Sequence, residues 1–204
     1  MLRKPQYKLS RRLGEKLFPK TQTQKYALRA GRKVATGKRK FSQKTEYGQQ
    51  FLDKQKVRYS YGVLEKQFVK YVDSARKHSR TNPAQGLYTQ LESRLDNVVY
   101  RMGLATSRAA GRQMVSHGHI RVNGVKISIP SHQVKPGDEI TIRDASKAKV
   151  IFRDLELRLK NYKAPEWLVV DGTSGTGKVS VQPVNMKNDS NLNFNAVIEL
   201  YSRA

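Results

Sequence analysis

The spacing of apolar residues changes along the chain and divides it into regions of different predicted structure. Between residues 45 and 102 the apolar positions recur every three or four residues, which places them on one face of an α-helix. Between residues 120 and 143 they alternate with polar positions, as in a half-buried β-strand. The pattern predicts helices followed by a small antiparallel sheet, an α+β fold.

The helical region begins with two helices before residue 80. The first is short and basic and spans residues 49–58. Residues 79–86, SRTNPAQG, interrupt the periodicity with proline and glycine and are interpreted as a linker. The second helix has on its apolar face Leu64, Phe68, Tyr71, Val72 and Ala75.

Two further helices are predicted over residues 91–102 and 108–117. The first has a regular apolar face and ends at a glycine, while Thr106 or Ser107 can cap the second and Gly118 can end it. A hairpin follows, because Asn-Gly after residue 122 is a strong two-residue turn signal between alternating segments. These two helices are therefore expected to pack on a small antiparallel sheet.

The remainder of the chain is predicted to add one helix and three extended segments. The helix spans residues 149–161, with Ile151 on its apolar face. Residues 167–171 and 178–182 read as the strands of a hairpin, and residues 194–201 as a final strand or extended segment.

A glycine-rich segment, GTSGTGK at residues 172–178, resembles a phosphate-binding P-loop. That loop needs a Ser or Thr next to bind Mg²⁺ and a helix to follow it, but here Val179 opens an alternating segment. The pattern favours a hairpin loop over a nucleotide site.

Basic residues dominate the charge of the chain, with 40 Lys and Arg against 16 Asp and Glu and a net charge of +24 over 204 residues. The first 60 residues hold 18 of the basic residues and three of the acidic ones. Such self-repulsion indicates a polyanionic partner, and nucleic acid is favoured over a membrane surface. Because residues 1–44 have little apolar periodicity, we expect an extended basic arm that becomes ordered on its partner.

The composition also argues against several kinds of site. Without cysteine there is no disulfide and no thiolate metal site, and the four histidines are scattered except for His117 and His119. No cofactor or metal is predicted. No catalytic constellation or carboxylate pair is visible, which argues against an enzyme with a small-molecule substrate. No signal-peptide or membrane-spanning run is present, so we expect a cytoplasmic protein.

A basic face is predicted on the helix over residues 108–117 and on the hairpin that follows it. A concave positive surface of this kind suits irregular RNA better than a DNA groove, since duplex DNA readers usually dimerise. Arg94 and Arg101, which flank Asp96, are left open between RNA contact and pairing inside the fold. Tyrosines between residues 47 and 61 are expected to be buried rather than stacked on a base. The basic face comprises Arg108, Arg112, Gln113, His117, Arg121 and Lys126.

The motifs RLDNVVYRMG and SRAAGRQMVSHGHIRVNG, within residues 94–124, resemble the RNA-binding domain of the small-subunit ribosomal protein S-four family. That domain also occurs in tyrosyl-tRNA synthetases, pseudouridine synthases and a heat-shock ribosome-rescue protein. Four other segments are similar to the ribosomal family itself, in the right order and over nearly the full length. They are KLSRR at residues 8–12, YGQQFLDKQKVRYSYGVLEKQF at 47–68, PEWLVVD at 165–171 and VIELYSR at 197–203.

The resemblance implies a structural protein of the small ribosomal subunit and a primary binder of 16S rRNA. Family members nucleate assembly at a helix junction in the 5′ domain, neighbour ribosomal protein S-five and other small-subunit proteins, lie near mRNA where it enters the subunit, and contribute to decoding fidelity. Some repress translation of their own operon. The implied organisation is a basic arm over residues 1–44, a helical body over 45–88 completed by 183–204, and an inserted RNA-binding domain over 89–182.

Two sets of site residues follow from the same resemblance. The terminal set lies toward the protein neighbour and comprises Val197, Ile198, Glu199, Leu200 and Tyr201. The rRNA-binding set comprises Lys8, Arg11, Arg12, Lys54, Lys56, Arg58, Arg108, Arg112, Gln113, His117 and Arg121.

Two other classes of protein contain the same RNA-binding domain and are alternatives for this chain. An RNA-modification enzyme would need a catalytic domain with a nucleophile, for which the flanking segments are too short and too basic. A ribosome-rescue factor would lack the segment at residues 47–68 and the terminal ELYSR motif. One departure from the family is the absence of the N-terminal cysteine cluster that binds metal in many members, so residues 20–44 are expected to be ordered by RNA and local packing. The lack of a presequence before KLSRR favours a bacterial or organelle-encoded gene.

Overall fold

The computed structural model describes two compact units of the chain. The described residues are 5–35, 45–79, 81–160, 162–184 and 191–203. The first unit, here called the helical unit, comprises Met1–Ala84 and Lys187–Ala204, and the second, the sheet unit, comprises Gln85–Met186.

The helical unit is built on the packing of a C-terminal helix against a long central one. Thr45 caps the central helix by accepting a hydrogen bond from the Gly48 amide at 3.2 Å, and Gly62 ends it with a φ of 64°. Val57, Phe68 and Val197 are fully buried in this unit. Its described helices are α1 (Gln6–Leu13), a 3-10 turn (Pro19–Thr21), α2 (Gln24–Ala35), α3 (Glu46–Tyr61), α4 (Glu65–His78) and α10 (Phe194–Ser202).

The expectation of an extended N-terminal arm is wrong where α1 and α2 lie, while residues 36–44 of that arm fall outside the described residues. The physical reason is a small apolar cluster. Leu9 and Leu13, four residues apart on α1, are buried with Tyr59 of α3. The charged residues between them hide this helical spacing in a sequence rich in lysine and arginine.

The prediction of a final strand is also wrong, because residues 194–202 form α10. Asn193 caps this helix by accepting a hydrogen bond from the Ala196 amide at 3.0 Å. Phe194, Val197 and Leu200, at three-residue steps, are buried there together with Ala196. The apolar spacing of so short a segment fits both a strand and a helix, and packing against α3 selects the helix.

The sheet unit contains one antiparallel five-stranded sheet in the order β2-β1-β3-β5-β4. The Asn123-Gly124 turn between β1 and β2 is confirmed, with positive φ angles of 49° and 78°. The glycine-rich segment lies in the turn between β4 and β5, as predicted. The elements are α5 (Pro83–Glu92), α6 (Leu95–Arg101), α7 (Arg108–Ser116), β1 (Ile120–Val122), β2 (Val125–Lys126), β3 (Glu139–Ile142), α8 (Asp144–Lys147), a 3-10 turn (Val150–Phe152), α9 (Leu155–Lys160), β4 (Leu168–Val170) and β5 (Gly177–Val179).

The helix predicted over residues 91–102 is interrupted, and the predicted linker ends where α5 begins at Pro83. Between α5 and α6 the chain pairs with a distant segment. Arg94 forms a β-bridge with Gln133, and the Leu95 amide donates to the His132 carbonyl at 2.8 Å. The helical spacing of apolar residues continues across this break, because Leu91 before it and the apolar face of α6 after it are both fully buried.

Two predicted apolar faces are corrected at their first residue. Leu64 precedes α4 as its N-terminal cap and is 55% exposed, whereas Phe68, Val72 and Ala75 are buried as predicted. The helix predicted over residues 149–161 is instead a 3-10 turn followed by α9. In that turn Phe152 is buried, and Ile151 is 45% exposed.

Candidate nucleic-acid interface

Close packing of α6 against α7 creates the basic face of the sheet unit. Ser107 caps α7 by accepting a hydrogen bond from the Ala110 amide at 3.2 Å, as predicted. Gly111 lies against α6, where an added Cβ would come within 2.5 Å of the main-chain oxygen of Asp96. The glycine therefore sets the distance between the two helices.

A buried carboxylate on α6 holds two arginines. Asp96 accepts from Arg94 at 3.0 Å and 2.7 Å, and both side chains are almost fully buried. Its Oδ2 also accepts from Nε and Nη2 of Arg112, at 2.9 Å and 2.8 Å. Arg94 is thus paired inside the fold, which was one of its two open alternatives, while Arg112 remains partly exposed on α7.

A second buried carboxylate, that of Glu92, anchors the neighbouring arginines. Arg101 donates to both of its oxygens at 2.8 Å, and Asn97 donates to it at 2.9 Å. The Oδ1 atom of Asn97 accepts from Nε of Arg108 at 2.6 Å. The Arg108 guanidinium also lies 5.0 Å from the ring centre of Tyr100, a cation-π distance. Arg108 is therefore held in one place before any ligand arrives.

The remaining predicted residues of this face are exposed or partly exposed. Gln113 and His117 are exposed at the C-terminal end of α7. Arg121, on β1, donates to Asp144 at 3.0 Å. A hydrogen bond from Lys147 lowers the pKa of Asp144, so this carboxylate stays charged and offsets part of the positive charge of Arg121.

The N-terminal residues of the predicted set lie on the solvent face of α1. Lys8, Arg11 and Arg12 are all exposed. Beside them the rings of Tyr7 and Tyr26 stack with their centres 5.7 Å apart. This arrangement leaves three cations and an aromatic pair accessible to a polyanion.

Lys54, Lys56 and Arg58 are placed differently, because their side chains are only 11–14% exposed. Lys54 and Arg58 pair with Glu65 at 2.8 Å and 3.1 Å. Burial alone would raise the pKa of Glu65, but the two cations and a hydrogen bond from Tyr201 lower it overall.

Lys56 pairs with Glu15 at 3.0 Å and with Asp53 at 3.1 Å. Burial acts to lower the pKa of Lys56, but the two carboxylates outweigh it and raise that pKa. The structure thus gives Lys54, Lys56 and Arg58 internal partners, and their contact with RNA stays a prediction.

The terminal residues predicted to meet a protein neighbour divide between core and surface. Val197 and Leu200 are buried inside the helical unit. Glu199 is exposed and accepts from Gln50 at 3.2 Å, while the Tyr201 hydroxyl donates to Glu65 at 3.3 Å. Burial raises the pKa of Tyr201, and the charge of Glu65 raises it further. The surface of this segment therefore consists of Ile198, Glu199 and Tyr201.

The tyrosines of α3 follow the expected burial in two of three cases. Tyr59 and Tyr61 are buried, and Tyr47 is exposed on the first turn.

Sequence reasoning missed Glu92 and Asn97, which hold the arginines. Acidic and amide residues among arginines on adjacent helices were the available signal.

Within the described ranges, no group of three His, Asp or Glu residues is arranged to hold a metal ion. None of the described helices has the length and apolar composition that crossing a bilayer requires.

Comparison with known proteins matches both parts of the chain. Residues 1–92 match the ribosomal protein S4/S9 N-terminal domain, and residues 93–140 match the S4 domain. The chain is 43% identical to the small ribosomal subunit protein uS4 of Natranaerobius thermophilus, over 98% of this chain and 97% of that protein. It is 42% identical to the same-named protein of Halothermothrix orenii, over 98% and 97%.

The chain therefore belongs to the small ribosomal subunit protein uS4 family, a family of structural, non-enzymatic ribosomal proteins with an RNA-binding S4 domain.

Proposed function

We propose that this chain is a primary 16S rRNA-binding protein that nucleates assembly of the body of the small ribosomal subunit at a helix junction in the 5′ domain. The observation that carries the proposal is the pair of buried carboxylates beneath the arginines of α7: Asp96 pairs with Arg112, and Glu92 lies 3.7 Å from Arg108. An arginine presents a planar fork of donors that matches a phosphate, and a fixed fork loses little entropy on binding.

In this proposal, one surface provides affinity for RNA and another provides specificity. The exposed cations of α1, Lys8, Arg11 and Arg12, neutralise phosphates and supply affinity that does not depend on sequence. The face of α6 and α7 supplies specificity, because its fixed donors fit one arrangement of folded RNA. The net charge of +24 supports a polyanionic partner for the chain as a whole.

The proposed surroundings of the chain are those of its family. We place it in the small ribosomal subunit, of a bacterium or an organelle, beside ribosomal protein S-five and near mRNA where it enters the subunit. A contribution to decoding fidelity would follow from that position. The exposed residues of α10, including Glu199, are the surface that this proposal assigns to the protein neighbour.

An RNA-modification enzyme and a ribosome-rescue factor are the alternatives. The alignment with a uS4 protein covers 98% of this chain and 97% of that protein, so the sequence resembles uS4 over nearly its full length. The match to the ribosomal N-terminal domain covers residues 1–92 and so includes the segment at residues 47–68 that a rescue factor would lack. Both observations favour the ribosomal proposal.

The test is binding of the purified chain to full-length 16S rRNA without any other protein, read out by hydroxyl-radical footprinting. A primary binder protects a compact set of nucleotides around one helix junction of the 5′ domain. Protection scattered along the rRNA, or protection that requires another ribosomal protein, would contradict the proposal.

A further inference from the structure

The sheet unit has a cavity of about 520 Å³ at the end of the basic face, with walls from the C-terminal half of α7, the start of β1 and the 3-10 turn. This volume lies in the range of about 300–1,000 Å³ that is typical of small-ligand sites. Met114 and His119 are its buried residues, and Gln113 and His117 line its exposed side.

The far wall of the cavity is an exposed apolar surface. Val150 is 73% exposed and Ile151 is 45% exposed, and these neighbouring side chains belong to the 3-10 turn. Adjacent β-branched residues left in water mark an interaction site more often than an isolated exposed residue does. The turn itself is fixed, because Phe152 is buried beneath it.

Neighbouring side chains hold the ring of His119 in the cavity wall. Its Nδ1 atom lies 3.0 Å from the Ser146 hydroxyl, and its ring meets Phe152 edge-on at 6.2 Å. The ring of His117 packs on it at 5.9 Å. Burial lowers the pKa of His119, and the charges of Lys149, His117 and Arg143 lower it further. A neutral imidazole in a fixed wall suits a neutral aromatic ligand.

We propose that this cavity receives the base of one unpaired nucleotide of the bound RNA. Histidine rings and apolar side chains accept the face of an unstacked base, and an amide such as that of Gln113 can both donate to and accept from its edge. Lys149, on the rim, offers a cation for the adjoining phosphate. Among the described residues, those that line the cavity include no carboxylate.

The position of the cavity favours RNA over another occupant. Gln113 and His117 belong both to the cavity and to the predicted rRNA-binding face, so one RNA strand can contact Arg112 and enter the cavity without leaving the surface. The inference rests on the proposed function and deepens it, since it names an unpaired base as the group recognised at this end of α7.

The test compares three proteins on two RNAs, a 16S rRNA 5′-domain transcript and an unrelated structured RNA of equal length. The cavity variant is Val150→Ser with Ile151→Ser, which keeps the charge unchanged. The matched control is Leu157→Ser, on α9, where the leucine is 74% exposed and lies outside the cavity. Thermal melts establish that all three proteins are folded to the same extent.

Loss of one stacked base should weaken binding of the 5′-domain transcript by about fivefold to twentyfold in the cavity variant only. At least one unpaired base that wild type protects from dimethyl sulfate should become reactive in the variant complex. Equal affinity and equal protection for variant and wild type would overturn the inference, as would an equal loss on both RNAs.

The outcome for wild type separates this inference from the proposed function. If wild type prefers the 5′-domain transcript and the cavity variant behaves identically, the inference is wrong and the proposed function stands. If wild type binds both RNAs equally, the proposed function fails and the inference fails with it.

Discussion

The carboxylate of Asp96 holds the guanidinium of Arg112 with 2.8 Å between Oδ2 and Nη2, so a buried acid on α6 orients a basic side chain on α7. The same carboxylate pairs with Arg94 at 2.7 Å. An acid at an RNA-binding surface would oppose binding by charge alone. Here it fixes the direction of the cation, and we therefore regard Asp96 as a positioning residue of the interface.

Replacement of Asp96 separates positioning from charge. Asp96→Ala leaves buried Arg94 without its carboxylate, and we expect the free energy of unfolding to fall by about 3–5 kcal/mol in urea titrations. Asp96→Asn keeps the shape and adds one unit of positive charge, yet affinity for the 5′-domain transcript should fall. The exposed Asp154→Asn adds the same charge and serves as the control. Binding by Asp96→Asn that is as tight as binding by the control would show that charge alone governs affinity.

Gly111 is predicted to tolerate no side chain. In Gly111→Ala the new methyl group meets the main chain of α6 at 2.5 Å, so α6 and α7 must separate. Overpacking of this kind destabilises by about 1–3 kcal/mol, and the separation should also weaken RNA binding by moving Arg112. Ser116→Ala, at an exposed position of the same helix, should change neither quantity. A Gly111→Ala protein as stable as wild type would contradict the packing described for this helix pair.

Two groups of predicted RNA contacts should respond differently to mutation. Loss of Lys8 and Arg12, both exposed, should reduce the log–log salt slope of RNA binding by about 0.7–0.9 for each phosphate contact removed, without changing the melting temperature.

Lys56→Ala should instead destabilise the helical unit by about 1–2 kcal/mol, because Glu15 and Asp53 lose their shared partner. Denaturant titrations and salt series on both variants distinguish the two roles. An unchanged stability of Lys56→Ala, together with a reduced salt slope, would assign this lysine to RNA instead.

Acidification should destabilise the sheet unit through His119. Burial lowers the pKa of His119 below its usual value of 6.5, and the nearby charges of Lys149, His117 and Arg143 act in the same direction. Below pH 6.5 the unfolded state therefore binds more protons than the folded state, and the free energy of unfolding falls as the pH drops. His119→Gln should lose less stability than wild type between pH 7.5 and pH 5.5 in urea titrations. Parallel losses for the two proteins would remove His119 as a cause.

Local signals were read correctly from the sequence where the interaction spans few residues. The Asn123-Gly124 turn needs positive φ angles that these two residues tolerate, and the Ser107 cap acts within one helical turn. Residues 194–202 could not be settled in this way, because their apolar spacing fits two periods and α3 decides between them. The break at Arg94 was hidden, since it depends on pairing with the distant Gln133.

Sequence reasoning predicted only part of the candidate site, because the rest depends on how the helices pack. The arginines of α7 follow from their spacing on one helix face and from the family resemblance. The anchoring of Arg108 by Asn97, which itself donates to Glu92, depends on the turn between α5 and α6, which brings the end of one helix beside the other. In the sequence, Lys54, Lys56 and Arg58 cannot be distinguished from basic residues on an exposed RNA-binding surface. Only the packing of the helical unit shows that their side chains pair with carboxylates such as those of Glu15 and Glu65.

We expect this chain to select a folded segment of 16S rRNA rather than to bind any polyanion. The most direct test is its affinity for a 16S rRNA 5′-domain transcript and for an unrelated structured RNA of equal length, each measured over a salt series. Both RNAs should show a steep log–log slope of about −0.7 to −0.9 per phosphate neutralised, and the 5′-domain transcript should bind about a hundredfold more tightly at physiological salt. Equal affinity for the two RNAs would contradict the account and reduce the basic face to a general attractor of phosphate.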